Sequence, residues 1–347
     1  MEMIIMNSFS PVNITINLDK LKYNIQHSFE LCKAKSIDLA FVSKSICGDE
    51  SIMAAVEETP VKVIADSRLD NFAKMNTTKT KMLIRPAVPA EAKAVVKFTD
   101  ASFQTELGTI KKIETEASKQ NKIHDVLLMI DIGDLRDGIQ YTDTSKIYET
   151  ASYVHESKHL RLVGVAANYN CFLGLLPDKD NMTTLAEVFN SLKALYDVDN
   201  PILSGGTSSS VSLLTNKDLF IPSEISQIRM GEAIMLGRDP ADNTFIDGYA
   251  TDVFTLEVPI IEVHKKNLSD GSSMLRGVLS IGKQDLQTDK IIPLDTRIKI
   301  LGACSDECVI DLTDAPEYKS GDTVKFMLEY GALMTAFAGQ FINKKYI

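Results

Sequence analysis

The sequence has 347 residues, of which 44% are hydrophobic and 24% are charged, and its formal net charge is −10. A chain of this length can bury a sizeable core and suits two domains. The negative charge and the lack of long Lys/Arg runs argue against a nucleic-acid surface. The five cysteines are odd in number and scattered along the chain, which argues against a disulfide framework and favours a reducing compartment.

Targeting and metal motifs are also missing from the sequence. The amino terminus has no basic region followed by a long apolar segment, and no apolar run reaches the ~18 residues of a membrane span. The five histidines show no zinc-ligand spacing beside a cysteine pair or within HExxH. We therefore expect a cytoplasmic protein that binds no metal, no membrane and no nucleic acid.

Short apolar runs alternate with helical patterns over the first two thirds of the chain. Residues 13–17 alternate like a strand, and an apolar residue then recurs at helical spacing from Leu18 to Phe29. The later runs that we interpret as strands are 39–42, 61–65, 82–84, 95–98 extending towards Ser102, 126–131, 160–166, 201–204 and 225–228. About eight βα units in succession are typical of a (β/α)8 barrel. A doubly wound open sheet is the alternative, although no GxGxxG follows the first strand.

From about residue 245 the pattern changes to strand-like runs joined by polar turns. These runs are 253–254, 258–263, 275–281, 298–301, 309–312 and 324–328. They predict a domain rich in β-strands. We therefore expect an α/β protein in which residues 18–240 form a TIM-type barrel and residues 1–17 plus 241–347 form a β-domain.

Lys44 follows the first apolar run of the predicted barrel. A side chain at the carboxyl end of a parallel strand lies where α/β barrels keep their chemistry. The compact amine of a lysine can form a Schiff base with an aldehyde such as pyridoxal 5'-phosphate (PLP). The alternative interpretation is a solvated lysine at a strand mouth.

Two polar loops follow the predicted seventh and eighth strands, where this architecture usually binds phosphate. They have the sequences SGGTSSS at 204–210 and RMGEA at 229–233. Glycines allow close backbone approach, hydroxyl groups donate, and the start of a helix offers free N–H groups to an anion. The alternative is a flexible polar turn, but two such loops at adjacent strands favour a phosphate site.

Two further polar segments follow predicted strands. Residues 131–139 follow the fifth strand, and Arg136 within them has the fork geometry that binds a carboxylate of a substrate. Its alternative is an ion pair with Asp134 or Asp137. Asn168 lies at the end of the sixth strand, where a polar group must be hydrogen-bonded or face a ligand.

Together these residues resemble the fold-type III PLP enzymes of the alanine racemase family, and the chain is most similar to the alanine/ornithine racemase branch. The similarity runs almost end to end. The motifs that carry it are ITINLDKLKYN at 14–24, Val42-Ser43-Lys44, the D-x-G-x-x-R-x-G-I segment at 131–139, residues 164–169, Arg229-Met230-Gly231, LGACSDECVID at 301–311 and Gly321-Asp322-Thr323-Val324.

The resemblance implies roles for these residues. Lys44 would carry PLP, Asn168 would stack on its ring where the family usually has histidine, and Arg229 would face the pyridine nitrogen. The predicted cofactor-binding set is Lys44, Asn168, Ser204, Gly206, Thr207, Ser208, Arg229, Gly231 and Glu232. For the substrate we expect Arg136 and Ser305.

The chain departs from the family pattern at two places. The lysine loop of the family continues with a tyrosine, whereas this chain has Ser45-Ile46-Cys47-Gly48. Alanine racemases proper carry a G-Y-A-D segment whose tyrosine is the second catalytic acid/base, and this chain has Gly282-Lys283-Gln284-Asp285. The second base is therefore unassigned. Our candidates are, in order, Lys283, then Cys304 or Asp306, and finally Tyr330.

Racemisation requires a base on each face of the α-carbon, while PLP delocalises the charge left when the α-proton is removed. Lys44 can serve one face. The family resemblance implies that the opposite base comes from the β-domain of a second subunit, and hence a homodimer with shared active sites. A guanidinium such as that of Arg229 does not release its proton, which favours racemisation over the decarboxylases of this fold, since those resemble one another in having a carboxylate there.

The sequence thus predicts a PLP-dependent racemase of ornithine, alanine or lysine. One alternative is a D-amino-acid aldolase or lyase, which usually needs a metal site in the β-domain. Another is a non-catalytic PLP-binding protein. Such relatives are typically a bare barrel, and the long chain after Asp239 argues against that alternative.

Overall fold

The computed structural model describes residues 10–216 and 219–347. Residues 1–9, which we assigned to the β-domain, lie outside the described residues. The chain divides into two units, one of Lys22–Lys44 and Gly48–Tyr249 and the other of Met1–Leu21, Ser45–Cys47 and Ala250–Ile347. The domain limits predicted above, 18–240 and 1–17 plus 241–347, stay a prediction.

Strands and helices alternate through the first unit and strands dominate the second. The strands are β1 Asn13–Ile16, β2 Asp38–Val42, β3 Val63–Asp66, β4 Thr80–Leu83, β5 Ala101–Gln104, β6 His124–Asp131, β7 Ile139–Gln140, β8 Leu160–Ala166, β9 Ile202–Ser204, β10 Gln227–Met230, β11 Phe254–Asn267, β12 Ser273–Leu279, β13 Ile291–Pro293, β14 Lys299–Ala303, β15 Cys308–Asp311, β16 Thr323–Leu328 and β17 Asn343–Tyr346. The helices are α1 Leu18–Lys33, α2 Glu50–Glu57, α3 Leu69–Lys74, α4 Ala92–Phe98, α5 Leu107–Lys119, α6 Thr144–Glu156, α7 Lys179–Leu195, α8 Val211–Thr215, α9 Glu232–Leu236 and α10 Tyr330–Ala338.

The first unit contains a closed barrel of parallel strands. Its order is β2-β3-β4-β5-β6-β8-β9-β10, with β10 returning to pair with β2. Alternate side chains of neighbouring strands fill the interior, among them Ala101 and Phe103 of β5 with Leu127 and Met129 of β6. The predicted (β/α)8 barrel followed by a strand-rich domain is confirmed, and the open-sheet alternative is wrong because the pairing closes on itself.

Aspartates begin several of the helices that connect the strands. The side chain of Asp49 accepts a hydrogen bond from the backbone N–H of Ile52 at the start of α2, and Asp143 does the same for Lys146 in α6. Asp178 and Asn181 form a reciprocal capping box at α7. Each cap satisfies N–H groups that the first turn of a helix leaves free.

One predicted barrel strand is wrong. Residues 95–98 belong to the second half of α4, and the strand that follows is β5, which begins at Ala101. Val95 and Val96 are buried together with Ala92 three residues earlier, which is helical spacing. A short apolar run does not by itself separate a buried strand from a buried helix. The last barrel strand also extends to Met230, so that Arg229 lies within the strand and not after it.

The second unit is built on one sheet of eight strands. The central order is β13-β16-β11-β12-β15-β14, with β1 antiparallel to β11 and parallel to β17. Along β16 the side chains of Val324, Phe326 and Leu328 are buried while Thr323 and Lys325 are exposed, the alternation of a sheet with one covered face. Within the described ranges of the whole chain, no helix has both the length and the apolar character that crossing a membrane requires.

Candidate active site

Lys44 lies at the mouth of the barrel, directly after β2. Ala40 and Val42 belong to an interior cluster with Ala65, and strand alternation directs the side chain two residues on to the same side. Burial lowers the pKa of the Lys44 amine. The charge of Arg136 lowers that pKa further, while other neighbours of the amine raise it, namely Cys171, Asp66 and Glu232. A lysine with a lowered pKa has more of the neutral amine that Schiff-base chemistry needs.

Asp66, at the end of the neighbouring strand β3, is fully buried. Its carboxylate accepts hydrogen bonds from Ser43 Oγ at 2.6 Å, from the backbone N–H of Arg68 at 2.8 Å and from Asn71 Nδ2 at 3.1 Å. Burial raises the pKa of Asp66, against the effect of these donors. Asp66 was not predicted as a site residue, although an acid that ends a buried apolar run is the same kind of signal that singled out Lys44.

Arg229 of β10 is buried, with 2% of its surface exposed. One NH group donates to the carbonyl of Ser204 at 3.0 Å and to its hydroxyl at 2.6 Å. The other donates to the carbonyl of Ala167 at 2.8 Å and to Asn168 Oδ1 at 3.0 Å. The guanidinium also lies 5.1 Å from the centre of the Phe103 ring. Burial lowers the pKa of Arg229 to about 10, so the group keeps its charge at neutral pH while all four hydrogen-bond acceptors are uncharged.

Asn168 and Asp137 extend this network to Arg136. Asn168 Nδ2 donates to Asp137 Oδ1 at 2.8 Å. Arg136 donates to the same carboxylate twice, from Nε at 3.0 Å and from NH2 at 3.1 Å. Of the two alternatives for Arg136, the structure therefore has the ion pair with Asp137. Asp134 instead accepts the backbone N–H groups of Cys171 and Phe172.

The two polar loops after β9 and β10 lie against each other. Ser208 Oγ accepts from the backbone N–H of Gly231 at 3.0 Å and from that of Ala233 at 3.3 Å. The hydroxyl groups of Thr207 and Ser209 lie 2.8 Å apart. A Cβ on Gly231 would come within 3.0 Å of Val42, the last residue of β2, which lies two residues before Lys44. The structure thus brings both predicted phosphate loops and the end of the Lys44 strand together.

The donors of this mouth fit PLP. Serine and threonine hydroxyls with backbone N–H groups at the start of α9 match a phosphate, and the amine of Lys44 matches an aldehyde. The hydroxyl of Tyr169, the residue after Asn168, is buried and has no hydrogen-bond partner in the part of the chain that is described. Among the described residues, no group of three or more His, Cys, Asp or Glu side chains is arranged to hold a metal ion.

The predicted second-base residues lie together in the second unit. The backbone N–H of Lys283 donates to the carbonyl of Cys304 at 2.9 Å, and Gln284 donates in the same way to Ser305. Ser305 Oγ lies 3.1 Å and Cys304 Sγ 3.4 Å from Asp306 Oδ1. The side chains are exposed. Tyr330 is separate from this cluster and begins α10. Which of these residues is a base stays a prediction.

Comparisons with known proteins agree with this geometry. The family model described as alanine racemase, N-terminal domain, matches residues 16–239. The ornithine racemase of Acetoanaerobium sticklandii is 33% identical over 351 residues, which cover 96% of this chain and 98% of that protein. The lysine racemase of Thermotoga maritima is 26% identical over 353 residues, with coverage of 96% and 98%.

Solved structures resemble the chain in fold. An alanine racemase of Clostridium difficile 630 matches with a TM-score of 0.75 at 16% sequence identity, and the match covers 98% of this chain and 96% of that one. The similarity therefore extends over both units and not over the barrel alone.

Proposed function

Because the chain belongs to the alanine racemase family and is an amino-acid racemase, we propose that it interconverts the enantiomers of ornithine, alanine or lysine with PLP as its cofactor. Two relatives are an ornithine racemase and a lysine racemase, which supports a substrate with a basic side chain. Because the chain is a racemase, we prefer racemisation to the two alternatives, a D-amino-acid aldolase or lyase and a non-catalytic PLP-binding protein. The family resemblance was predicted from the sequence and is confirmed.

One observation carries the PLP assignment. An amine with a lowered pKa, that of Lys44, and a buried guanidinium that touches only uncharged acceptors, that of Arg229, come from two paired strands of the same mouth. PLP, when bound, supplies the electron sink that lets an α-proton leave. Lys44 moves that proton on one face. Arg229 keeps its own protons and so offers only donors to the ring nitrogen.

The loops after β9 and β10 would hold the phosphate. The residues that we assign to it are Gly206, Thr207, Ser208, Gly231 and Glu232, whereas Ser204 binds Arg229 and would contact the cofactor only through it. The contacts of Ser208 Oγ with the N–H groups of Gly231 and Ala233 support this assignment, because they hold the two loops side by side. Asn168 would lie against the ring.

The opposite face of the substrate needs a second base. We assign it to Lys283 first, then to Cys304 or Asp306, with Tyr330 last, and we place it in a homodimer in which each subunit serves the site of the other. Arg136 and Ser305 would contact the substrate carboxylate. To do so, Arg136 would have to redirect to the substrate some of the N–H groups that now donate to Asp137.

The test is a panel of single L-amino acids incubated with the PLP-loaded protein, with chiral chromatography of the products. We expect the D enantiomer to form from at least one of ornithine, lysine and alanine, and Lys44→Ala to abolish it. If protein that contains bound PLP racemised no amino acid of the panel, the proposal would be contradicted.

A further inference from the structure

A continuous series of hydrogen bonds crosses the barrel mouth from Arg229 to Arg136. It passes through the amide of Asn168 and the carboxylate of Asp137, with donor–acceptor distances of 3.0, 2.8 and 3.0 Å. Both arginines have roles in the proposed reaction, whereas Asp137 has none.

The two ends of this series leave Asn168 one orientation. A guanidinium has donors and no acceptor, and a carboxylate paired with a guanidinium has acceptors and no donor. The amide oxygen must therefore face Arg229 and the amide nitrogen must face Asp137. If Asp137 lost its charge and its acceptor-only character, the amide could turn and present its NH2 group to Arg229, donor against donor.

The backbone holds Asp137 in place. The next residue, Gly138, has φ of +123°, and a Cβ there would lie 2.4 Å from the backbone nitrogen of Asp131 in β6. Only glycine tolerates this conformation and this approach. The segment after Arg136 is thus pressed against β6, and the short strand β7 continues the pairing through Ile139. The motif D-x-G-x-x-R-x-G-I leaves position 137 open, so a carboxylate there is a feature of this chain.

Resting on the proposed function, we propose that Asp137 is a positioning residue of the site: its carboxylate fixes the amide of Asn168 against Arg229 and compensates the charge of Arg136 at the mouth that holds Lys44. It needs no contact with substrate or cofactor. Its action reaches the reacting groups through Asn168 on one side and through Arg136 on the other.

The pKa of the Lys44 amine is the readout, because it would not change if Asp137 had a purely structural role. The charged and titratable groups that act on the amine are Cys171, Arg136, Asp66 and Glu232. Asp137→Asn keeps the shape of the side chain and leaves the charge of Arg136 uncompensated. The pKa of Lys44 should then fall further, by roughly half a unit to one unit.

The measurement uses the protein freed of PLP and without substrate, because PLP held on Lys44 would block its amine. The rate at which Lys44 is acetylated by a trace of acetic anhydride is followed against pH by mass spectrometry of the Lys44 peptide, and its midpoint is the pKa. Asp137→Glu, which keeps the charge, should restore the midpoint towards that of the unchanged protein. In the loaded protein the alkaline-side midpoint of kcat/KM should move in the same direction as the labelling midpoint.

The chain offers a matched control. Arg161 and Asp125 form the same bidentate pair, with both distances at 2.7 Å. They face each other in the register of β6 and β8 near the amino-terminal ends of these strands, the end of the barrel opposite the mouth. Asp125→Asn removes one carboxylate from one arginine, as Asp137→Asn does, and should leave the Lys44 midpoint unchanged.

A second pair of variants keeps the test decisive if Asp137→Asn does not fold. Arg136→Gln alone leaves the Asp137 charge uncompensated and should raise the Lys44 midpoint, and Arg136→Gln combined with Asp137→Asn should bring it down again. Equal midpoints in these two proteins, or in Asp137→Asn and Asp125→Asn, would overturn the inference. Absence of racemisation would count against the proposed function only, since labelling needs no turnover.

Discussion

The barrel mouth and the loops of the β-domain present their polar side chains in opposite ways. In the mouth, Arg229, Asn168 and Asp66 are buried and each makes several hydrogen bonds. In the β-domain, Lys283 and Asp306 are exposed, and backbone hydrogen bonds determine the position of their loops. The mouth therefore holds its polar side chains in fixed hydrogen-bonded positions, whereas the β-domain leaves several candidate side chains equally exposed.

The largest effect should come from the mouth. Lys44→Ala removes the amine that, in the proposed function, both holds PLP and moves the α-proton on one face, and general acid–base catalysis alone is worth roughly 10²- to 10⁴-fold. We expect racemisation to fall by at least that factor. Chiral chromatography of the product measures it, with Lys319→Ala at an exposed lysine of the β-domain as the control. If Lys44→Ala kept its activity, the assignment of the barrel mouth as the reactive centre would be wrong.

A substitution in the β-domain should reduce racemisation less, and it should affect proton transfer on only one face of the substrate. Lys283→Met removes the base that we place on the opposite face, so net racemisation should fall by roughly 10²-fold. Exchange of the α-proton with deuterium should persist for one enantiomer, because in the proposed function Lys44 still serves its own face. Mass spectrometry of each enantiomer of the substrate recovered from deuterium oxide measures this exchange separately from racemisation. If Lys283→Met behaves like the unchanged protein, the same pair of measurements on Cys304→Ser and Asp306→Asn identifies the base.

Arg229 should control the kind of reaction more than its rate. In the proposed site Arg229→Glu would put a carboxylate in place of the guanidinium that faces the ring nitrogen of PLP, so that this nitrogen could hold a proton, and abortive transamination should increase. The readout is the amount of keto acid formed per D-amino acid, a ratio that does not depend on how much of the variant folds. An unchanged ratio would show that the guanidinium does not decide the outcome.

The smallest effect concerns stability at the opposite end of the barrel. His124, at the start of β6, is buried beside Ser102 Oγ at 2.8 Å, and burial lowers its pKa to about 4. An unfolded histidine has a pKa of ~6.5, so the unfolded state binds the proton more readily. The contribution to stability is therefore present above pH ~6.5 and is lost as the pH falls towards 4, up to about 3 kcal/mol.

Denaturant unfolding between pH 7 and pH 4 measures this loss. His124→Gln should flatten the dependence on pH, while His264→Gln, at a side chain that is 61% exposed, should leave it as steep as before. An equally steep fall in His124→Gln would assign the acid sensitivity to other groups.

The barrel and most of its mouth could be predicted from the sequence, because buried parallel strands are short apolar runs and their ends fall at regular intervals. Lys44 and Arg229 were found in this way. The run at 95–98 misled because Val95 and Val96 suit a buried helix as well as a strand. Asp137 was considered only as a partner of Arg136, since its bond to Asn168 joins residues 31 positions apart, and no local pattern records such a contact.

The central claim is that Lys44 is the residue that holds PLP, and reductive trapping tests it most directly. The purified protein is supplied with PLP, reduced with borohydride, digested and analysed by peptide mass spectrometry. We predict a phosphopyridoxyl group on the peptide that contains Lys44 and an unmodified Lys283. A label on Lys283 or another lysine, or no label after PLP has been supplied, would contradict the account.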